Sequence, residues 1–408
     1  MQRLVEPIVS QAINMFTSAY AGGLYFDYVP VIYSKQTHSQ SLESSFKAVA
    51  LAYMASETRN KEALRLARQA YGEALSQTNA SLQDTQVATT LETLSSVLLL
   101  SLFAVISANS AGEIQGAWTN HVQGAFAILS QTPPETFNSR PGQDILSHIT
   151  SLVQIDCIQR EVPFPPQLRS LYSASWLNQG PQEQFWAVVE QVADVNSRIN
   201  EQDISYLYLS KLWSIDSKIQ SLLSSMPDAY GGSFAFEATM SQEWTRGTED
   251  LDTAIPFHKF THFRCAQTWN ILRMLRLFNL NLILSATDLY LEQRPNISQD
   301  IMESLKFSIS NHRHVSRQTV VDICATIPDI LRSNSQAIER CSHVQNSTWA
   351  RSLLWPLCIA RESVGCTQKL REYIDGQIQT IQAATGLPVL INKKSLSSSS
   401  EPTALIKW

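Results

Sequence analysis

Apolar residues recur at spacings of three and four along almost every long segment of this chain, which is the pattern of a helix with one buried face. In residues 61–75, Ala63, Ala67, Ala70 and Ala74 share one stripe, while Lys61 and its charged neighbours point elsewhere. Period-two alternation bounded by Asn-Gly or Asp-Gly turns is missing, so the sequence gives little support to a sheet. The pattern predicts an all-α fold, a large irregular array of about 15 or more helices with no significant sheet.

The longest apolar run extends from Val97 to Ala108 and is interrupted by Ser101 and Ser107. It is shorter than the roughly 20 apolar residues that a membrane-spanning helix needs. We therefore predict a buried core helix here and no membrane association.

Pro, Gly and Ser gather at 131–141, 163–166, 178–181 and 224–256, and these stretches interrupt the helical pattern. The stretch 224–256 contains Gly231, Gly232 and several acidic residues, and it is either a surface loop or a join between two helical halves. Residues 393–408 are rich in Ser, which predicts a flexible tail. The expected organisation is a helical region over 1–392 followed by that tail.

Composition narrows the classes of function. The chain has 408 residues, of which 44% are hydrophobic, enough for a sizeable core. Its 31 Lys and Arg residues against 36 Asp and Glu give a net charge of -5, so no overall positive field exists to hold nucleic acid. Six scattered cysteines and a start without a secretory pattern favour a reduced intracellular compartment.

His258, His262 and Cys265 are the first candidates for metal ligands. On a helix they would lie at i, i+4 and i+7 on one face, a spacing that could present nitrogen and sulfur to zinc. No fourth ligand is evident nearby, and the interleaved phenylalanines favour a packed helix entry, so the preferred interpretation is no metal site. A second set, His312 and His314 with Cys341 and His343, is weaker still because such pairs meet often by chance in a long chain.

Motifs for the common enzyme chemistries are missing from the sequence. It contains no G-x-S-x-G, Gly-rich phosphate loop, H-E-x-x-H or C-x-x-C. We assign no catalytic residue and expect no cofactor, while a site assembled from scattered residues of a helical array would leave no such signature.

A resemblance to a known family emerges from helix motifs in a fixed order. The segments FKAVALAYMA, YGEALSQTNASLQD, LETLSSVLLLSLFAVIS and AWTNHVQGAFAIL resemble the fungal-specific regulatory domain of zinc binuclear cluster transcription factors. The last segment carries the Trp-x-x-His-x-x-Gly-Ala motif at Trp118, His121, Gly124 and Ala125.

Further matches follow in family order: IDCIQREVPFPP at 155–166, TWNILRMLRL at 268–277, and LLWPLCIA at 353–360. The positions that mark the last two are Trp269, Asn270, Arg273, Trp355 and Pro356. The resemblance extends over nearly the whole chain and implies that 1–392 is a regulatory domain.

These marks also have a physical interpretation as structural residues. Trp118 shares a helical face with Val122, Ala125 and Leu129, and Gly124 beside them would allow close approach of another helix. Pro356 is expected to kink or interrupt its helix.

Two arginines, Arg273 and Arg276, lie three residues apart in the TWNILRMLRL segment. Such residues can cap carbonyl groups or pair with acids at a helix junction. We prefer this structural role for both of them to ligand binding.

One departure from the family pattern is important. Relatives of this kind usually carry a cysteine cluster with two zinc ions ahead of the regulatory domain, whereas the first cysteine here is Cys157. The chain is expected to make no direct DNA contact on its own. Three explanations remain open: a start placed at an internal Met1, a partner that binds DNA, or a domain turned to another use.

The resemblance thus implies a nuclear, or nuclear and cytoplasmic, regulator of transcription rather than an enzyme, serving a metabolic or secondary-metabolite pathway. Other regulators or co-regulators, a homodimer or heterodimer, and a small-molecule effector are the expected partners. Two alternatives remain: a pathway enzyme on the same scaffold, and an inhibitor that dimerises with a full-length factor.

Overall fold

The computed structural model describes residues 2–20, 26–34, 39–107, 111–173, 181–198, 204–229, 235–239, 255–331, 350 and 352–385. Over these residues the protein is a stack of helices with one small antiparallel sheet, so the predicted all-α fold is confirmed. None of the described helices combines the length and apolar content that crossing a bilayer would require.

The N-terminal part of the array consists of helices that pack mainly on their neighbours in sequence. They are α1 (Gln2–Tyr20), α2 (Tyr28–Tyr33), α3 (Gln40–Thr58), α4 (Lys61–Gln83), α5 (Thr85–Ala88), α6 (Leu91–Ser107), α7 (Ala111–Leu129), α8 (Arg140–Arg160) and α9 (Pro166–Ser173), with a 3-10 turn at Pro134–Asn138. Helix α3 packs against α1, α4 and α6, and α7 connects α6 to α8. The apolar run of α6 is buried between these helices, as predicted for a core helix.

The C-terminal part begins with α10 (Pro181–Asn196) and α11 (Tyr206–Ala229). It continues with β1 (Phe236–Thr239), β2 (Phe257–Phe260), α12 (Phe263–Gln293), α13 (Gln299–Cys324), α14 (Leu354–Glu362) and α15 (Gln368–Thr385). Helix α12 is central here and contacts α10, α11, α13 and α14.

Side-chain caps explain several of the helix starts. The Asn60 side chain accepts hydrogen bonds from the backbone N–H groups of Glu62 and Ala63 at the start of α4. Ser139 caps α8 in the same way through Gly142 N–H. Each cap satisfies donors that the first helical turn leaves without a partner in the helix.

Buried apolar side chains form two clusters, one from Ala12 to Ala193 and one from Val188 to Ile381. Both clusters include residues of α10. Trp186 and Ala193 belong to the first, and Val188 and Val192 belong to the second. The two cores therefore meet along α10, which lies before the stretch 224–256 in the sequence.

The stretch 224–256 is partly regular. Residues up to Ala229 complete α11, so the helical pattern continues past Ser224, where the loop was expected to begin. Strand β1 then pairs with β2 in antiparallel register, Phe236 opposite Phe260 and Thr239 opposite Phe257. This pair of short strands is the sheet that the sequence did not indicate, because Phe-His-Lys-Phe is too short for its alternation to stand out.

Two expectations about the motif residues need correction. A Cβ added at Gly124 would meet no atom of the described structure within 4 Å, so this glycine makes no close helix approach there. Pro356 neither kinks nor breaks the middle of a helix. It lies in the first turn of α14, where a missing N–H costs no hydrogen bond.

Candidate functional site

A cavity of about 280 Å³ lies between α11, α12, α13 and strand β1. Its lining combines apolar and aromatic side chains with polar ones. The lining residues are Gln220, Leu223, Ser224, Phe236, Trp269, Arg273, Arg276, Thr319 and Asp322. Trp269 and Arg273, which the sequence analysis marked through the TWNILRMLRL motif, are thus on one wall of a cavity.

Arg273 is the central charged group of this cavity and is only 3% exposed. Its guanidinium donates hydrogen bonds to His258 Nδ1 at 3.2 Å and, at the long distance of 3.5 Å, to Asn270 Oδ1. Among the described residues, no carboxylate lies within ion-pair distance of it. Arg273 is therefore a buried cation held by neutral partners.

Two aromatic rings also lie close to the guanidinium. The guanidinium carbon lies 5.3 Å from the centre of the Phe236 ring and 5.4 Å from that of Trp269. Such contacts stabilise a cation but only partly replace its hydration. Burial accordingly lowers the pKa of Arg273 to about 10, and the nearby charge of Asp322 acts against that shift. The group remains positively charged at neutral pH.

His258 is held in its neutral form. Burial, assisted by the charge of Arg273, lowers the pKa of His258 to about 3. Because arginine can only donate, Nδ1 of His258 must be the acceptor, which places the ring proton on Nε2. The backbone N–H of His258 donates to Ala325 O at 3.0 Å, which connects β2 to the end of α13.

Asn270 also helps to orient the Arg273 side chain. Its side-chain nitrogen donates to Thr326 Oγ1 at 3.0 Å, and this leaves its oxygen directed at Arg273. Thr326 donates in turn to Ile323 O at 2.7 Å. The residues around Arg273 therefore fix its position from both β2 and the turn that follows α13.

Arg276, one turn further along α12, has a different environment. It makes two hydrogen bonds to Asp216 of α11, at 3.0 and 3.2 Å. This is the pairing with an acid at a helix junction that the sequence predicted for both arginines, and it is confirmed for Arg276 but not for Arg273.

The candidate metal ligands serve other purposes in the structure. His258 lies in strand β2 and not on a helix, so the i, i+4, i+7 geometry does not arise. His262 caps α12 by accepting from Cys265 N–H, and the Cys265 thiol lies 3.6 Å from Ala235 O. No described group of three or more His, Cys, Asp or Glu residues is arranged to hold a metal.

For the second set, His312 is half-buried and His314 exposed on α13, while Cys341 and His343 lie outside the described residues. The structure therefore shows only one half of this set, and the meeting of the two halves stays a hypothesis. His312 Nδ1 has its own partner, the hydroxyl of Ser308 at 3.2 Å.

The motif on α7 lies far from the cavity, in the N-terminal core. Trp118 is half-buried and packs against that core, while Val122, Ala125 and Leu129 on the same face are buried, as the helical pattern predicted. His121 is half-buried, and burial lowers its pKa. Trp355, on α14, is half-buried against the C-terminal core beside the buried Pro356.

Several cavity residues were not found from the sequence. Gln220, Phe236, Thr319 and Asp322 come from separate elements and share no motif. One signal was available, namely two arginines three residues apart in the largely apolar segment TWNILRMLRL.

Comparison with known proteins identifies a similar family for one segment of the chain, which ends before β1, α12 and α13. Residues 31–231 match the model of the fungal-specific transcription factor domain, so this segment of the chain is similar to that family. Neither the curated proteins nor the solved structures include a match to it. The match indicates, in general terms, a role in the regulation of transcription.

Proposed function

We propose that this chain is the regulatory part of a nuclear transcription regulator that controls genes of a metabolic pathway, secondary metabolism included. The match of residues 31–231 to the fungal-specific transcription factor domain carries the proposal. The resemblance of further helix motifs, as far as LLWPLCIA on α14, supports the same assignment for the C-terminal part of the chain.

Contact with DNA comes from a module outside this sequence, on the same polypeptide or on a partner. The net charge of -5 supports this division, because a DNA-binding surface draws most of its affinity from Lys and Arg that neutralise phosphates. Contacts with co-regulators, or a dimer of two such chains, would then transmit the regulatory signal. The cavity at Arg273 is compatible with a metabolic role, since it has room for a small molecule.

The test is to tether the full chain to a reporter promoter through a heterologous DNA-binding module. We expect transcription to rise or fall relative to the module alone. The matched control is the same fusion with Leu99→Asp, which places a charge at a fully buried position of α6 and should abolish the effect by unfolding the N-terminal core.

A reporter that responds equally to the module with and without the chain, together with unchanged transcripts after deletion of the gene, would overturn the proposal. In that case the alternatives, an enzyme on the same scaffold or an inhibitory dimerisation partner, would be tested next. Turnover of a pathway intermediate by the purified chain would favour the enzyme, and co-precipitation of a full-length factor would favour the inhibitor.

A further inference from the structure

The described residues do not satisfy all the hydrogen-bond donors of the buried Arg273 guanidinium. A buried guanidinium has five N–H donors, and hydrogen bonds to His258 and Asn270 use two of them. A buried cation with no carboxylate in direct contact is costly, and the charge of Asp322 compensates Arg273 only from a distance. Arg276, on the same helix, has a bidentate carboxylate. Because Arg273 lines the cavity, a bound anion could supply what the described residues do not.

The remaining walls indicate what kind of anion fits. Phe236 and Trp269 present aromatic surface beside the guanidinium, and Leu223 adds an apolar contact. Asp322 also lines the cavity, where its carboxylate oxygen accepts from Gln318 at 3.0 Å. A second negative charge near Asp322 would be repelled, so a dianion such as phosphate is disfavoured.

We propose that this cavity binds a small organic acid that carries one carboxylate and one hydrogen-bond donor, an amino or hydroxy acid, as an effector of the regulator. The carboxylate lies against Arg273, and the amino or hydroxyl group faces Asp322. The apolar part of the ligand packs on Trp269 and Phe236. That the cavity binds such an acid is inferred from its lining alone. That the acid acts as an effector rests in addition on the proposed function.

The binding test measures the thermal unfolding of the purified full chain against a panel of small molecules. The panel contains the proteinogenic amino acids, their hydroxy-acid counterparts, the corresponding amides, and inorganic phosphate. We expect at least one amino or hydroxy acid to raise Tm, because a ligand that binds only the folded state stabilises it. Its amide should have no effect, and phosphate should have less effect than the acid.

Two variants locate the site, and calorimetry with the best acid of the panel gives the dissociation constant. Arg273→Met removes the charge at similar length and should weaken binding at least about tenfold, since a charge-assisted contact is lost. Ser224→Phe should fill part of the cavity from the exposed side of α11 while Arg273 itself is unchanged, and it should weaken binding as well. Ser214→Phe, exposed on the same helix but not part of the cavity lining, is the matched control and should bind normally.

The Asp322→Asn variant tests the second contact. It should reduce the preference for amino acids over simple carboxylates without abolishing carboxylate binding. The proposal is overturned if no acid of the panel raises the Tm of the wild-type chain, if phosphate or the amides bind as well as the acids, or if Ser224→Phe binds normally.

These measurements involve no transcription, so their failure can be distinguished from failure of the proposed function. An active tethered chain whose cavity binds nothing would leave the proposed function in place and remove the effector. Acid binding by a chain that has no effect on the reporter would leave the site in place and remove its regulatory meaning.

Discussion

Arg273 and Arg276 lie on one helix, three residues apart, yet their charges are compensated differently. Arg276 is paired with Asp216 of α11, while Arg273 has a neutral histidine, an amide oxygen and two aromatic rings. In proteins, groups whose pKa values are shifted by burial, as that of Arg273 is, are concentrated at functional sites. At the scale of single residues, this contrast is the strongest indication that the chain has a binding site.

A second buried histidine makes a prediction about pH. His148 of α8 is 3% exposed and hydrogen-bonds the Tyr28 hydroxyl at 3.0 Å, and burial lowers the pKa of His148 to about 3. Between that pKa and the unfolded value of about 6.5, the unfolded chain binds a proton that the folded chain does not. The free energy of unfolding should therefore fall as pH is lowered below about 6.5, with His258 contributing in the same direction.

The measurement is chemical denaturation of wild type and His148→Gln between neutral and mildly acidic pH. The variant keeps a polar group but cannot titrate, so its slope should be smaller by about 1.4 kcal/mol per pH unit. His314→Gln, exposed on α13, should leave the slope unchanged. Asp156, Glu190 and Asp329 have pKa values raised by burial and work in the opposite direction at lower pH, which is why the comparison is made with a variant.

At the scale of elements, the turn between α14 and α15 fixes the packing of the C-terminal helices. Gly365 N–H donates to the buried Ser316 Oγ of α13 at 3.1 Å, and Val364 N–H donates to Asn281 of α12 at 3.2 Å. A Cβ at Gly365 would lie 2.5 Å from Ser316 C and closer still to the backbone nitrogen of Arg317. The turn can therefore approach α13 only because residue 365 has no side chain.

We expect Gly365→Ala to destabilise the protein by about 3 kcal/mol, since backbone atoms cannot move aside as a flexible side chain could. Gly376→Ala is the matched control. Gly376 is exposed within α15 and an added Cβ there meets nothing within 4 Å of the described structure, so this change should stabilise by about 0.5 to 1 kcal/mol. Equal effects of the two substitutions would contradict the close approach at Gly365.

The sequence predicted helices better than it predicted their environment. The stripe of α4 and the apolar run of α6 specify burial directly, because helical periodicity repeats over many residues. The strand pair and the cavity depend on contacts between residues far apart in the chain, such as Phe236 with Trp269. The spacing of apolar residues within one segment does not predict such contacts. For the same reason His258 was considered with His262 and Cys265, its neighbours in sequence, and not with Arg273.

At the scale of the whole molecule, α10 determines whether the two cores unfold together or separately. Its Trp186 and Ala193 belong to one core, and its Val188, Val189 and Val192 to the other. The side chain of Asn196, at the end of α10, also donates to Ile158 O of α8 at 2.9 Å. Neither core can lose this helix without exposing apolar surface of the other.

We therefore expect one cooperative unfolding transition. In differential scanning calorimetry the calorimetric and van't Hoff enthalpies should agree. Val192→Ala should lower the single Tm rather than separate two transitions, because it leaves a cavity at the helix that both cores share. Two resolved transitions in the wild-type chain would show that the cores unfold independently.

The path of α11 has a practical consequence for dissecting this protein. The segment that matches the fungal-specific transcription factor domain ends at residue 231, just after α11. Helix α11 nevertheless lies against α12 and packs in the C-terminal core through Leu212, Ile215, Ile219 and Leu222. A fragment that ends at the edge of the matched segment would expose the apolar face of α11 and would tend to aggregate. The segment that matches the family is thus shorter than the unit that packs together, so the boundaries of an expressed fragment are better chosen from the packing of the helices than from the family match.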